Sequence, residues 1–358
     1  MGDMYFLQSE IRLLVLGKLK NCLSAMKFIA TLFLLILGVL NSIFGQSSEV
    51  KYLIDMSITI MKNNAVNRNK VDWTKIQKDA LAQAVNKQNA YQIGPIYRML
   101  FKSLNDFHGA FFCWDSTYKW YRQEQEQSDS IKNEWKKGVF IRMEVLEDNI
   151  GYLRVPYMSG YNRDELDKKA QQLNDSLCVL FDQKVTGIIV DLRLNGGGTM
   201  YPMMLGLEQL LGNGIIGSFE TDNPQNWVIK NNSFFLDTNL LASIVPKCKM
   251  KQSDMPVVVL IGQGTGSSGE FLAMAFKKRK NTLFLGTATA GYVTTTKGFK
   301  INDAVTLLLS TGYGRDRGGE IYYHALSPDI FSKAPDSFND IRNDEKVQAA
   351  AKWLKAKG

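Results

Sequence analysis

The stretch that decides the fold is Gly264-Thr265-Gly266-Ser267-Ser268-Gly269-Glu270. It follows an apolar run, residues 256–261, that has the length of a buried strand, and it precedes residues 271–278, which read as a helix ending in basic residues. A glycine-rich turn from a strand into a helix can bind a pyrophosphate, can present a nucleophilic serine, or can simply cap the helix. The heptapeptide fits all three patterns, so the rest of the chain has to distinguish them.

The dinucleotide interpretation rests on the spacing of Gly264, Gly266 and Gly269, which matches the G-x-G-x-x-G fingerprint. That fingerprint needs an acidic residue about 20 positions further on to bind the ribose hydroxyls. After Glu270 the next acidic residue is Asp303, so the ribose partner is missing. This interpretation is therefore disfavoured.

The capping interpretation is locally sound, because Ser267 and Glu270 have the spacing of a capping box. It leaves unexplained a second apolar run, residues 185–193, which leads into the turn Gly196-Gly197-Gly198. A nucleophilic serine accounts for both turns. Acyl transfer needs backbone N–H groups aimed at a developing oxyanion, and glycines can turn their amides outward because they accept positive φ.

A nucleophilic serine also needs a base, and the chain has two histidines. His108 follows a helical pattern over residues 93–107 and precedes Gly109, so it could equally be an ordinary helix-ending histidine before a capping glycine. His324 is expected to be a strand residue near the surface.

Composition narrows the function classes. With 358 residues and 45% apolar residues, the chain can bury a large core. Its net charge of +8 is diffuse, and the densest basic cluster, residues 277–280, is expected to be a solvated helix end, so we expect no nucleic-acid partner. Of the four cysteines, Cys22 lies outside the mature chain expected below. The other three, Cys113, Cys178 and Cys248, are scattered, which argues against a metal site and allows at most one disulfide, with buried free thiols an equal alternative. We expect no metal and no organic cofactor.

The N-terminal region predicts export. Residues 26–46 contain one lysine, a 13-residue apolar stretch and a polar end, which is the pattern of a secretory signal peptide, and residues 1–25 would then be an upstream extension. An uncleaved anchor is the alternative. We expect a mature chain that begins near Gln46, is periplasmic or extracellular, and has no stable membrane insertion after signal removal.

The periodicity of the remaining chain predicts an α/β protein with a helical N-terminal domain. The expected parts are a helical domain over residues 47–136 that carries His108, an α/β core over residues 137–335, and a C-terminal helix within residues 336–358.

Five short stretches, taken in order, resemble the C-terminal processing (tail-specific) serine proteases. They are residues 150–155, 191–198, 257–270, 286–291 and 327–330. The resemblance implies a crotonase-like ββα core and hydrolysis of peptide bonds. It also implies that Ser267 is the nucleophile and that Gly197, Gly198 and the Ser268 amide form the oxyanion hole.

The chain departs from this family in two ways. Tyr292 occupies the position of the lysine base of the bacterial processing proteases, and the nearest lysine is Lys297, while residues 109–148 leave too little room for a peptide-binding PDZ module. With these two departures the sequence resembles the tricorn-like branch of the family, and this resemblance implies His108 as the base. Glu320 is then a candidate third catalytic residue, and Asp106 is another possible orienting group.

The sequence therefore predicts an exported serine endopeptidase that acts on polypeptides through a Ser–His mechanism. The alternative is a catalytically inactive peptide-binding protein on the same fold, which the tyrosine at position 292 would favour. The sequence carries no signal for the oligomeric state, so we make no prediction about it.

Overall fold

The computed structural model describes residue 31 and residues 47–121, 127–248 and 254–357. The proposed upstream extension, residues 1–25, and all but one residue of the proposed signal peptide, residues 26–46, lie outside this part of the chain. Within the described residues, no helix is both long and apolar enough to cross a membrane.

A six-stranded sheet forms the centre of the molecule. Its strands are β3 (Arg142–Val145), β4 (Ile150–Arg154), β5 (Gly187–Asp191), β10 (Val257–Ile261), β11 (Thr282–Gly286) and β15 (Ile330–Phe331). The spatial order is β15-β11-β10-β5-β4-β3, and every pairing is parallel except that of β3 with β4. The α/β class predicted from the sequence is confirmed, whereas the crotonase-like detail stays a prediction.

The apolar run of β10 is buried on both faces of this sheet, as parallel strands require. Val257, Val259 and Ile261 point into one apolar cluster, which includes residues of the following helix such as Leu272. Val258 points into the cluster on the opposite face, under the C-terminal helix. The strand is thus held on both sides, and its carboxyl end fixes the turn that follows.

A second sheet has nine strands and is largely antiparallel. Its strands are β1 (Ala110–Cys113), β2 (Ser116–Tyr118), β6 (Gly214–Glu220), β7 (Gln225–Lys230), β8 (Ser233–Leu236), β9 (Asn239–Ser243), β12 (Thr294–Lys300), β13 (Val305–Asp316) and β14 (Ile321–Tyr322). The strand β1 pairs with β13, with Ala110 opposite Leu308. This pairing attaches the N-terminal part of the chain to the protease-like part.

The α-helices of the described residues surround the two sheets. They are α1 (Ser48–Asn64), α2 (Trp73–Gln83), α3 (Gly94–Ser103), α4 (Asp129–Lys137), α5 (Arg163–Asp182), α6 (Met200–Gly206), α7 (Glu208–Leu211), α8 (Ser268–Phe276) and α9 (Glu345–Lys355). Apolar residues of α1 and α3 share one core with Val305, Leu307 and Leu309 of β13. The division at residues 47–136, 137–335 and 336–358 stays a prediction, and the first two parts are packed into a common core.

A buried ion network ties the C-terminal segment to the central sheet. The guanidinium of Arg193 lies 2.7 Å from Asp191 Oδ2, 2.7 Å from Asp336 Oδ1 and 2.8 Å from Asp344 Oδ2. Arg193 and Asp191 are each only 1% exposed, so these charges depend on one another. Since Asp344 also caps α9, the network fixes that helix against the sheet.

Two further expectations from the sequence have definite outcomes. Cys178 and Cys248 form a disulfide, and Cys113 is a buried free thiol. The sequence predicts that the basic cluster at residues 277–280 is a solvated helix end, and for Arg279 this prediction is wrong. Arg279 is buried, and its guanidinium donates to the carbonyl oxygens of Leu210 and Met255. Arg279 follows the end of α8, and its charge is used in hydrogen bonds within the fold.

Candidate active site

Ser267 lies in the turn between β10 and α8, where its backbone has φ 53° and ψ −120°. A positive φ is uncommon for a residue with a side chain and is found at functional sites more often than elsewhere. The Ser267 amide donates to Glu270 Oε2 at 2.9 Å, so the glutamate half of the expected capping box is formed. The strained turn is thus held by a side chain from the first turn of α8.

Glu270 is completely buried and accepts further hydrogen bonds from the Thr289 hydroxyl and the Gly291 amide. Burial raises the pKa of the Glu270 carboxyl to about 7, and the donors around it oppose that rise. This side chain joins the Ser267 turn to the segment after β11. It therefore supports the conformation of the turn from inside the core.

His108 lies in the short connection between α3 and β1. The carboxylate of Asp106 accepts hydrogen bonds from the backbone amides of His108 and Gly109, at 3.1 and 2.7 Å, which fixes this connection. His108 Nε2 lies 3.3 Å from Ser267 Oγ, across 159 positions of sequence. The structure thus brings these two predicted residues together.

The electrostatic surroundings keep His108 neutral. Burial, with a smaller contribution from the positive charge of Lys119, lowers the pKa of His108 to about 4. The Tyr292 ring packs against the imidazole in a T-shaped arrangement, with ring centroids 5.1 Å apart. A neutral imidazole at neutral pH can accept a proton, which is what a general base requires.

The other imidazole nitrogen of His108 contacts residues that the sequence did not single out. His108 Nδ1 lies 3.0 Å from Thr294 Oγ1, and Thr294 Oγ1 lies 2.9 Å from Ser310 Oγ. The Ser310 hydroxyl donates to Asp106 Oδ1 at 2.7 Å. No local sequence signal could have identified Thr294 and Ser310, because the pairing of β12 with β13 brings them beside His108.

The structure does not bring Glu320 to His108. The tight turn before β14 is closed by the carboxylate of Asp316, which accepts from the Glu320 amide, and this turn points the Glu320 side chain elsewhere. Its carboxylate is exposed and lies 3.1 Å from Lys278 Nζ. Lys297 is also directed elsewhere, with its Nζ 5.5 Å from the centroid of the Phe299 ring. His324 is exposed in a bend after β14 rather than within a strand.

The glycine turn after β5 lies directly against Ser267. Gly197 and Gly198 have φ 121° and 92°, and a Cβ on Gly197 would be 2.8 Å from Ser267 Cβ. The Gly197 amide donates to Asn195 Oδ1 at 3.1 Å, so it is engaged inside the turn. Among the described residues, by contrast, no hydrogen bond occupies the amide of Gly198 or Ser268. The Ser268 amide follows Ser267 directly in the chain, and the Gly198 amide follows Gly197, where an added Cβ would lie 3.3 Å from Ser267 Oγ.

A serine beside a neutral histidine and free backbone amides is the arrangement that serine hydrolases use. The model of peptidase family S41 matches residues 149–331, more than half of the chain, and this protein belongs to that family. It is a serine-type peptidase of the C-terminal processing protease kind.

Similar proteins show how far the likeness extends. The nisin-resistance protein of Lactococcus lactis subsp. lactis is 26% identical over 287 residues, which are 80% of this chain and 80% of that protein. Carboxy-terminal processing protease CtpA of Bacillus subtilis (strain 168) is 24% identical over 241 residues, which are 64% of this chain but only 47% of that protein. A lipoprotein structure from Streptococcus agalactiae has a TM-score of 0.64 at 19% identity and covers 88% of this chain and 99% of that chain. The resemblance to C-terminal processing proteases is confirmed, whereas the tricorn-like branch stays a prediction.

Within the described residues, no group of three histidine, cysteine, aspartate or glutamate side chains could hold a metal ion.

Proposed function

We propose that this protein is an exported endopeptidase in which Ser267 is the nucleophile and His108 is the general base. The observation that carries the proposal is the 3.3 Å separation of Ser267 Oγ and His108 Nε2, together with the lowered pKa of the imidazole. A base whose pKa lies well below 7 is present in its proton-accepting form at neutral pH.

In the proposed reaction, Ser267 Oγ attacks the carbonyl carbon of the scissile peptide bond while its proton passes to His108 Nε2. The tetrahedral intermediate collapses by breaking the C–N bond, and His108 returns the proton to the leaving amine. A water molecule then attacks the acyl-serine, again losing its proton to His108. Hydrolysis of this ester releases the second product and regenerates the Ser267 hydroxyl.

The amides of Gly198 and Ser268 are the proposed oxyanion donors. Of the predicted trio, the Gly197 amide is the weakest candidate, because it already donates to Asn195 Oδ1. The Ser268 amide is at the first position of α8, where the helix dipole also favours negative charge. The Ser268 hydroxyl donates to the Gly198 carbonyl at 2.7 Å, which couples the two proposed donors.

The disulfide between Cys178 and Cys248 supports export, since disulfides persist mainly in oxidising compartments. The apolar stretch within residues 26–46 supports the same conclusion from the sequence. We therefore propose a periplasmic or extracellular location.

The test is hydrolysis of a fluorescently labelled unfolded polypeptide by the Ser267→Ala variant. We expect the rate to fall by roughly a thousandfold or more. The matched control is Ser176→Ala, because this half-buried serine lies on α5 and its hydroxyl donates to the Gln172 carbonyl. Unchanged hydrolysis by Ser267→Ala would favour the alternative, in which the fold binds peptides and any cleavage comes from elsewhere.

A further inference from the structure

Between His108 and Asp106 lies an unbroken series of hydroxyl groups. The distances along it are 3.0 Å from His108 Nδ1 to Thr294 Oγ1, 2.9 Å from Thr294 Oγ1 to Ser310 Oγ, and 2.7 Å from Ser310 Oγ to Asp106 Oδ1. Each lies within the normal range for a hydrogen bond. The two ends differ in kind, because one is an imidazole and the other is a carboxylate.

The carboxylate end has a fixed polarity. Asp106 is buried, and its oxygens accept from the backbone amides of His108, Gly109 and Ser310 as well as from the Ser310 hydroxyl. A backbone N–H can only donate, and an ionised carboxylate can only accept. Burial raises the pKa of Asp106, and these four donors oppose that rise. With four donors and no acceptor around it, Asp106 fits the ionised form, and the Ser310 hydroxyl is a donor towards it.

The direction of the hydrogen bond at Asp106 sets the direction of the other two hydrogen bonds in the series. Because the single proton of the Ser310 hydroxyl points to Asp106, Ser310 Oγ can only accept from Thr294. The Thr294 proton is then used on Ser310, so Thr294 Oγ1 can only accept from His108 Nδ1. Each hydroxyl has one proton, so the direction is set from one end to the other.

We infer that Asp106, Ser310 and Thr294 form a relay of hydrogen bonds that keeps the proton of neutral His108 on Nδ1 and leaves Nε2 free to accept from Ser267. The inference rests on the proposed roles of Ser267 and His108 and adds three positioning residues to them. In this relay the carboxylate acts through two hydroxyls, so no negative charge touches the imidazole. Thr294 and Ser310 replace the direct carboxylate partner that Glu320 was expected to supply.

The sheet accounts for the placement of the two hydroxyls. Ser310 on β13 is opposite Thr296 on β12, so Thr294 is its diagonal neighbour on the same face. The register of this pair shifts between Thr295 and Thr296, and such irregularities re-aim side chains beside active sites. The relay is thus built from strand pairing rather than from any local motif.

Nuclear magnetic resonance of the full-length chain labelled with ¹⁵N in histidine tests the relay without measuring activity. The chain has two histidines, so the His324→Gln variant assigns both sets of signals. At neutral pH we expect His108 to carry its proton on Nδ1 and to have an unprotonated Nε2. In Ser310→Ala and Thr294→Val we expect a measurable population of the opposite tautomer, whereas Thr294→Ser, which keeps the hydroxyl, should resemble the wild-type protein.

Kinetics provide a second readout. We expect Ser310→Ala and Thr294→Val to lower kcat by about 10-fold to 100-fold with little change in KM, and Thr294→Ser to restore most of the rate. If Ser310→Ala, at a buried position, fails to fold, Thr294→Val, at a partly exposed position, still tests the relay.

A wild-type His108 protonated on Nε2, or a tautomer that neither variant alters, would overturn the relay. If instead Ser267→Ala remained active, the proposed peptidase site would fail while the tautomer measurement still decided the relay. The two failures are therefore distinguishable.

Discussion

Replacing Gly198 by alanine adds one carbon atom, Cβ, to the turn that holds the proposed oxyanion donors, and so tests the role of that turn. Gly198 has φ 92°, and an added Cβ would lie 1.9 Å from the Met158 carbonyl oxygen. That is far inside the distance that real Cβ atoms keep from a backbone oxygen. Met158 cannot simply move away, because its carbonyl accepts from the Thr199 amide and its amide donates to the Gly197 carbonyl.

The expected effect on catalysis follows from this contact. The backbone conformation alone costs about 1–3 kcal/mol for a residue with a side chain. Relief of the contact requires the turn to shift by roughly an ångström, which displaces the Gly198 amide from the reacting carbonyl. Loss of one oxyanion donor lowers kcat by about 10²–10³. We expect a loss of that order, with KM changing much less.

The assay is steady-state hydrolysis of the labelled unfolded polypeptide, with circular dichroism to confirm folding. Gly196→Ala is the matched control, because a Cβ there would meet only the Trp135 ring, at an ordinary 3.7 Å. We expect Gly196→Ala to keep nearly full activity. A folded Gly198→Ala with kcat within a few-fold of the wild-type value would refute the role assigned to this turn.

Four further outcomes are expected. Because the pKa of His108 is lowered to about 4, the base stays neutral above that pH, so kcat/KM should fall as the pH drops through about 4; an acid limb near 6.5 in the pH–rate profile would contradict this. Arg193→Met strands buried carboxylates and should lower the free energy of unfolding by about 3–5 kcal/mol in urea titrations; a loss below about 1 kcal/mol would speak against the network. Reducing the Cys178–Cys248 disulfide, which closes a loop of 70 residues, should lower that free energy by about 2–4 kcal/mol, and equal urea midpoints with and without reductant would exclude this. Glu320→Gln should leave kcat unchanged, because the carboxylate is exposed on Lys278; a hundredfold loss would restore Glu320 as a catalytic candidate.

The sequence predicts the parts of the fold whose signal is local. The run at β10 is uniformly apolar, the turn after it is glycine-rich, and α8 follows at once, so strand, turn and helix were all identified. The pair of Ser267 and His108 could be predicted because the chain offers few alternatives. Histidine is scarce here, and the resemblance to the tricorn-like branch implies His108 as the base.

The parts that the sequence did not predict depend on distant pairing. The antiparallel strands β6 to β9 contain polar residues among their apolar ones, so no clear alternation marks them as strands. They are held as strands by pairing with one another. Thr294 and Ser310 are ordinary strand residues until β12 meets β13. Glu320 was misplaced for the same reason: the pairing of β13 with β14 sets the turn that directs its side chain to Lys278.

The most direct test of the central claim is labelling of the protein by a fluorophosphonate, with the modified residue identified by mass spectrometry. An activated serine reacts with such a probe, whereas an ordinary serine hydroxyl reacts poorly. We predict modification of Ser267, none in Ser267→Ala, and strongly slowed modification in His108→Ala. Absence of labelling in the folded wild-type protein, or an equal labelling rate in His108→Ala, would contradict the assignment of these two residues as nucleophile and base.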